Sequence, residues 1–465
     1  MDSSWSRDLE GRLDAQPLGA GHRRVTLLSG LGWMFDAMDI GLLSFVLVAL
    51  AREWELTQGQ VGLAISVSLF GMFVGAAASG SLADRYGRKP LLMATLLVYS
   101  VATGLTALAW GFGALLVLRF VTGLGLGGEL PVASTLVAEV SPARSRGRMI
   151  VLLESFWAYG WILAALIGYL VIPEFGWRVA FAIGALPALY VLVLRRGLPE
   201  SPRYLLRRGR HAEAREAARR LGVEVEEPDI GTAQGTSPVS GVGIRALWTA
   251  PYARRTAMLW VLWFGMVFSY YGIFTWLPQI LATSGYSLVR SFEYVLLITL
   301  AQIPGYFSAA YLVEKWGRKA TLVSYLLCCA AATLVFGLRG FGAETSGAEL
   351  VLWGSLVSFF NLGAWGVVYG YTPELYPTAA RGSGAGWAAG IGRIGGIAGP
   401  YAVGLMLGAP GLGTLAVFSM FAAVLLVIAA NVWLLGEETR GRTLDEISER
   451  TARHAGDIRK AQATS

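Results

Sequence analysis

The chain has 465 residues, of which 55% are hydrophobic and only 15% charged. That charged share is well below the roughly 25% of a soluble globular domain, which excludes an ordinary soluble protein and points to a polytopic membrane protein. The net charge of +7 does not argue for nucleic acid, because most of the bases fall in short loops between apolar runs, where they set orientation.

The first 24 residues are polar and mixed in charge and read as a cytoplasmic tail. The apolar run that follows is too long for a signal-peptide core and is expected to be a retained first span. Twelve runs are long enough to cross a bilayer, at about 20 residues or more each. Their limits are near 25–51, 61–83, 91–110, 112–138, 149–172, 177–196, 256–282, 291–313, 320–338, 349–372, 383–408 and 412–435. The loops after spans 2, 4, 8 and 10 hold the clustered bases Arg85, Arg88, Lys89, Arg144, Arg146, Arg148, Lys315, Arg318, Lys319 and Arg381. The opposite loops hold mostly single bases, so both termini and the central loop are expected in the cytoplasm.

The expected organisation is a six-helix bundle over 25–196, a cytoplasmic central loop over 197–252, a second six-helix bundle over 253–436 and a tail over 437–465. Within the central loop, Pro199 to Leu221 reads as a basic helix along the membrane face, and Glu224 to Gly243 as a flexible linker. Cys328 and Cys329 are adjacent inside an apolar run, which gives neither a disulfide framework nor a metal spacing. No cofactor is expected.

Two motifs repeat across the halves. Gly80 to Pro90, G-S-L-A-D-R-Y-G-R-K-P, is echoed by Val313 to Lys319, V-E-K-W-G-R-K. Glu139, Pro142, Arg146 and Gly147 recur as Glu374, Pro377, Arg381 and Gly382 at a constant spacing of 235. Two motifs in the same order at nearly one offset mean a duplicated half. Gly87 and Gly317 suit a tight turn.

Few charges lie inside the spans, and each calls for a reason because a buried charge in lipid costs at least about 2.5 kcal/mol. Span one holds Asp36 and Asp39, three apart and so on one helix face. Like charge and desolvation disfavour ionising both, which suits a proton carrier. The bland alternative is that one of them pairs with a base. Glu129 adjoins Gly127, Gly128 and Pro131 in span four. It is expected either to titrate or to accept hydrogen bonds from freed backbone groups. Ten helical steps put it roughly 80° from Arg119, so those two need not pair.

Glu154, Trp157 and Trp161 form one stripe on span five, suited to a flat aromatic ring. The same holds for Tyr270 and Tyr271 in span seven and for Asn361, Trp365 and Tyr369 in span ten. Anchoring or helix packing is the competing role for these aromatics. Arg393 lies mid-span among Gly390, Gly392, Gly395 and Gly396, where small neighbours leave room beside its guanidinium. It needs an anion, either a substrate carboxylate in a forked geometry or a permanent partner such as Glu129 or Glu154. None of His22, His211 and His454 falls in an expected span, so proton coupling would rest on carboxylates.

G-S-L-A-D-R-Y-G-R-K with its echo, Pro199 to Arg203 after span six, and Arg119 with its following glycines resemble the major facilitator superfamily over about residues 25–445. The stretches Gly30–Gly41, Gly123–Val137, Leu152–Trp161, Phe268–Gly272 and Phe360–Gly366 resemble bacterial niacin permeases, relatives of the synaptic-vesicle-2-like transporters. After span twelve the chain reads G-E-E-T-R-G-R, where sugar porters tend to carry P-E-T-K-G-R, which weakens a sugar assignment. The resemblance implies an all-α fold of two six-helix bundles around a central cavity, in a bacterial inner membrane, working as a monomer by alternating access.

It also implies that Arg119 acts with a span-one acid in proton coupling, and that Arg393 sits where organic-anion branches bind their anion. Asp84, Arg85, Gly87, Arg88, Glu139 and Arg146 resemble cytoplasmic latches, with Glu314, Arg318, Glu374 and Arg381 as their echoes. The expected activity is nicotinate import with a proton, the carboxylate on Arg393, the ring against Trp157, Tyr270 or Trp365, and the proton on Asp36 and Asp39. Alternatives are another aromatic acid, a sugar or an expelled drug on the same machine, or a transporter-like sensor. The absence of a metalloprotease, nucleophile-elbow or phosphate-loop motif argues against an enzyme.

Overall fold

The computed structural model describes residues 9, 11–142, 144–223, 244–249, 252–341, 345–376 and 378–440, and among them every regular element is a helix. The first half builds α1 (Ala20–Glu53), α2 (Gln58–Tyr86), α3 (Arg88–Thr106), α4 (Phe112–Val140), α5 (Arg146–Gly184) and α6 (Pro187–Gly197). The central segment adds α7 (Pro202–Arg207), α8 (His211–Arg220) and α9 (Ile244–Leu247). The second half builds α10 (Ala253–Thr283), α11 (Leu288–Leu300), α12 (Gln302–Trp316), α13 (Arg318–Arg339), α14 (Gly347–Glu374), α15 (Thr378–Gly408) and α16 (Thr414–Leu435).

Ten stretches of the described residues are long and apolar enough to cross a membrane. One of them, Arg146–Gly197, runs for 52 residues and is broken at Gly176, whose φ of 79° is non-helical. At 1.5 Å per residue it is about 78 Å of helix, enough for two crossings of a core about 30 Å thick. With that break and the 31-residue α15 the count is twelve, six on each side of the central segment. The span expected near 291–313 is interrupted at Ala301, three residues before Pro304, whose ring nitrogen has no hydrogen to give to the preceding turn.

The chain forms two compact units. The first contains Met1–Leu42 and Val67–Pro238, the second Leu43–Ser66 and Val239–Ser465. The hairpin between α1 and α2 thus belongs to the second unit. There Phe45 packs edge-on against Phe292 at 5.0 Å, and the Ser66 hydroxyl donates to the Ile397 carbonyl at 2.9 Å.

Glycine decides how closely the helices approach. In the first unit a Cβ at Gly75 of α2 would stand 2.1 Å from the Leu124 carbonyl oxygen, and one at Gly127 of α4 would stand 2.0 Å from that of Met72. The two backbones are therefore in contact, as small residues at a four-residue spacing allow in lipid. Gly125 and Gly128 turn α4's other side to Tyr99 and Thr95 of α3. In the second unit Gly392, Gly395, Gly396 and Gly399 of α15 do the same against Trp263, Phe264, Tyr271 and Phe268 of α10.

Where one basic helix is expected over Pro199 to Leu221, the structure has two short ones, α7 and α8, separated by Arg208, Gly209 and Arg210, with Gly209 at φ 68°. The expected linker over Glu224 to Gly243 and the tail from Gly441 onward lie outside the described residues.

Candidate functional site

Four buried charges in the spans of the first unit sort into two groups. Asp39 and Arg119 form an ion pair, Nη1 to Oδ2 at 3.2 Å, with both side chains essentially inaccessible. The Thr103 hydroxyl donates to the other Asp39 oxygen. Arg119 Nη2 donates to Thr103 Oγ1 at 3.2 Å and to Thr106 Oγ1 at 2.8 Å, and its guanidinium lies over the Phe181 ring at 4.7 Å. Both carboxylate oxygens of Asp39 are thus occupied, which is what makes a charge pair tolerable in a dry interior.

One turn earlier on α1 the chemistry is opposite. Asp36 is fully buried, and neither of its oxygens makes a hydrogen bond of good geometry with a described residue. Glu129 on α4 is equally buried and equally unpartnered, and it faces Asp36. Gly32 makes room for it, since a Cβ there would come within 2.3 Å of Glu129 Oε1. The helical-step reading that separates Glu129 from Arg119 holds: Arg119 binds Asp39, and Glu129 meets Asp36.

The expected ring-binding residues occupy one cluster in each unit. In the first, Trp157 lies 4.7 Å from Trp33 of α1, centroid to centroid, with Glu154 and Trp161 buried beside it on the same helix. In the second, Trp365 stands 5.5 Å from Trp263, 5.4 Å from Tyr369 and 6.2 Å from Tyr270. Tyr270 is in turn 5.3 Å from Tyr271. Trp263 Nε1 donates to Thr372 Oγ1, whereas the buried Trp365 Nε1 and Asn361 Oδ1 have no partner among the described residues. Asn361 Nδ2 points to Cys329 Sγ at 3.9 Å.

Arg393 is half-buried on α15 and makes no ion pair with a described residue of its own unit. Its glycine neighbours do not all leave space beside it. The open side of Gly396 is filled by Val267 and Tyr271 of α10, and only Gly390 faces nothing within 4 Å.

At the charged ends of the spans the two units carry matching networks. Arg88 donates through Nε and Nη2 to both oxygens of Glu139, at 3.1 Å each, and is only 3% exposed. Arg318 makes the same fork with Glu374, through Nε at 3.1 Å and Nη2 at 3.0 Å. Asp84 and Glu314 reach the same arginines at 3.0 Å and 3.9 Å, from positions 70% and 76% exposed, so they contribute little. The Arg85 side chain lies over its neighbour Tyr86. Arg146 binds Asp14 at 2.7 Å, and Arg203 binds the same Asp14 oxygen at 2.7 Å. The side chain of Arg381, like Pro377, lies outside the described residues.

Two acids that lie inside the quoted motifs but were given no role there complete these networks. Glu200 accepts from the backbone N–H groups of Arg88 and Lys89 at 3.1 and 3.2 Å, and Glu438 accepts from those of Arg318 and Lys319 at 2.9 and 3.0 Å. Each carboxylate thereby caps the start of a helix, α3 or α13, where unpaired N–H groups and the dipole favour an anion. The residue before each helix is glycine, Gly87 at φ 104° and Gly317 at φ 90°, and a Cβ on either would stand 2.4 Å from the capping carboxylate. Burial pushes the Glu200 carboxyl up, against the pull of its N–H donors. The sequence signal is a Glu-Ser or Glu-Thr pair just past the sixth and the twelfth span, Glu200-Ser201 and Glu438-Thr439. Arg255, paired with Glu437 at 2.7 Å, is also a late arrival, marked only by its position at the start of α10.

The chain matches the family described as "Sugar (and other) transporter" across residues 36–450. It is 51% identical to the niacin transporter NiaP of Acinetobacter baylyi over 442 residues, covering 95% of this chain and 99% of that protein. A candidate niacin/nicotinamide transporter of Bacillus subtilis is 47% identical over 430 residues, with 92% and 99% coverage. Among solved structures, the xylose transporter XylE from E. coli in a partially occluded inward-open conformation superposes with a TM-score of 0.74 at 18% identity, covering 91% of this chain and all of that one. That last likeness concerns the fold.

Proposed function

The chain belongs to the sugar (and other) transporter family of the major facilitator superfamily, a multi-pass membrane transporter and not an enzyme, and from that premise we propose that it imports nicotinate together with a proton. The observation that carries this reading is the 51% identity to a niacin transporter along nearly the whole of both chains. We place the protein in a bacterial inner membrane with both termini in the cytoplasm, working as a monomer by alternating access.

The geometry of the second unit supports an aromatic carboxylate as cargo. Arg393 is a guanidinium without a protein anion in its own unit, and a planar fork fits a carboxylate better than an ammonium does. Tyr270, Tyr271 and Trp365 offer apolar ring faces, while the indole N–H of Trp365 and the carbonyl of Asn361 are free to meet a ring nitrogen or its proton. A sugar would ask for many hydroxyl partners, and this cluster is mostly hydrocarbon.

The test is equilibrium binding of labelled nicotinate to the purified protein, in competition with benzoate, nicotinamide and xylose. The expected outcome is displacement by benzoate, weaker displacement by the uncharged amide and none by xylose, with Arg393→Ala losing the preference for acid over amide. Displacement by xylose, or an R393A variant with unchanged discrimination, contradicts the assignment.

A further inference from the structure

Among the described residues of the first unit, Asp36, Asp39, Arg119, Glu129 and Glu154 are charged side chains buried within the spans, and the structure divides the first four by what compensates each. Asp39 has Arg119 and the Thr103 hydroxyl. Arg119 has Asp39, both threonines and the Phe181 face. Among the described residues Asp36 and Glu129 have no cation and no hydrogen bond of good geometry on any of their four oxygens, and both are fully buried.

A third group points into the same place. The Tyr99 hydroxyl of α3 is fully buried, makes no hydrogen bond of good geometry with a described residue and faces Asp36. The titratable groups around the pair are Asp39 on α1, Tyr99 on α3 and Tyr190 on α6. None of them is cationic, and Tyr190 already donates to the Leu28 carbonyl at 3.0 Å. Two ionised carboxylates without a cation or a donor do not persist in a dry interior. One proton between them resolves the conflict, because a protonated carboxyl is a donor and its ionised neighbour an acceptor. Tyr99 can then donate to the remaining oxygen.

We infer that Asp36 and Glu129 share a proton and form the proton-binding site of this transporter, while Asp39, fixed by Arg119, stays ionised through the cycle. The inference rests on the proton-coupled reading above and narrows it from four residues to two. Gly32 acts here as a positioning residue, since its missing Cβ is what lets Glu129 reach α1.

Two measurements on the full-length protein test it. The first needs no substrate: infrared spectra of the reconstituted protein at neutral pH. The carbonyl band of a protonated buried carboxyl is expected in the wild type and in Asp39→Asn, and is expected to vanish in the double variant D36N/E129Q. A wild type without that band, or a double variant that keeps it, overturns the proposal. The second compares gradient-driven accumulation of labelled nicotinate in proteoliposomes with nicotinate exchange at equal pH on both sides. Asp36→Asn and Glu129→Gln are each expected to lose accumulation on the order of tenfold more than they lose exchange, and to flatten its pH profile. Wild-type accumulation in either variant, or accumulation driven by a sodium gradient in place of a proton gradient, overturns it. A wild type that carries the band but does not move nicotinate removes the substrate and leaves the shared proton standing.

Discussion

Asp36 and Asp39 stand three residues apart on one helix and meet opposite surroundings, a guanidinium for one and a second carboxyl for the other. What separates them is set by other helices: Arg119 and Glu129 lie ten residues apart on α4 and reach α1 on either side of a single turn. The sequence made both acids and both partners visible as candidates, and helical phase correctly set Glu129 apart from Arg119. It could not say which acid each would meet, because that depends on how α4 lies across α1, and the glycines that fix this act through backbone contact. Gly32 shows how narrow the fit is. A Gly32→Ala variant places its Cβ 2.3 Å from Glu129 Oε1, at the far end of a flexible side chain that can turn away. We expect it to fold, with stability within about 1 kcal/mol of wild type by thermal unfolding in detergent, since alanine favours a helix interior. Its gradient-driven uptake should nonetheless fall, because Glu129 is displaced from Asp36.

At the scale of helices, glycine at a four-residue spacing does different work from glycine at a turn. Gly127 presses on the Met72 carbonyl, whereas Gly113 at the start of the same helix faces nothing within 4 Å. Gly127→Ala should therefore push α2 from α4 and cost about 1–3 kcal/mol, as overpacking does, while Gly113→Ala should be neutral or slightly stabilising. Thermal unfolding of the pair checks this, and equal losses would contradict it. The abundance of glycine, 59 residues, suits close packing of helices in lipid. The pairing of particular glycines across two helices was not legible, and the room assumed beside Arg393 is in part taken by α10 for this reason. The ion-pair forks differ in burial in a way that sequence could not grade. Arg88 and Glu139 are 4% and 14% exposed, Arg318 and Glu374 21% and 28%. Arg88→Ala takes the two-bond fork from a nearly buried acid and should cost about 3 kcal/mol; Arg318→Ala should cost nearer 1 kcal/mol, because water reaches its partner.

Across the whole molecule the duplicated motifs mark the two ends that most resemble each other. Gly87 and Gly317 lie 230 positions apart, Glu139 and Glu374 235, and Glu200 and Glu438 238. The drift in spacing is why the last pair escaped a fixed-offset reading, yet it closes both networks: an acid arriving just past the last span of each half caps the helix that begins at the turn glycine. Twelve spans, the duplication and the transporter class were all legible, because hydrophobic length and charge clustering follow directly from the bilayer as solvent. The division of charges within a unit was not, since it is a property of packing. The property we propose for this transporter is that it moves nicotinate against its gradient at the expense of a proton. The direct test is uptake of labelled nicotinate into proteoliposomes with and without an inward proton gradient. Saturable uptake that the gradient drives above the external concentration is the result predicted. Uptake that stops at equilibrium whatever the gradient would contradict it.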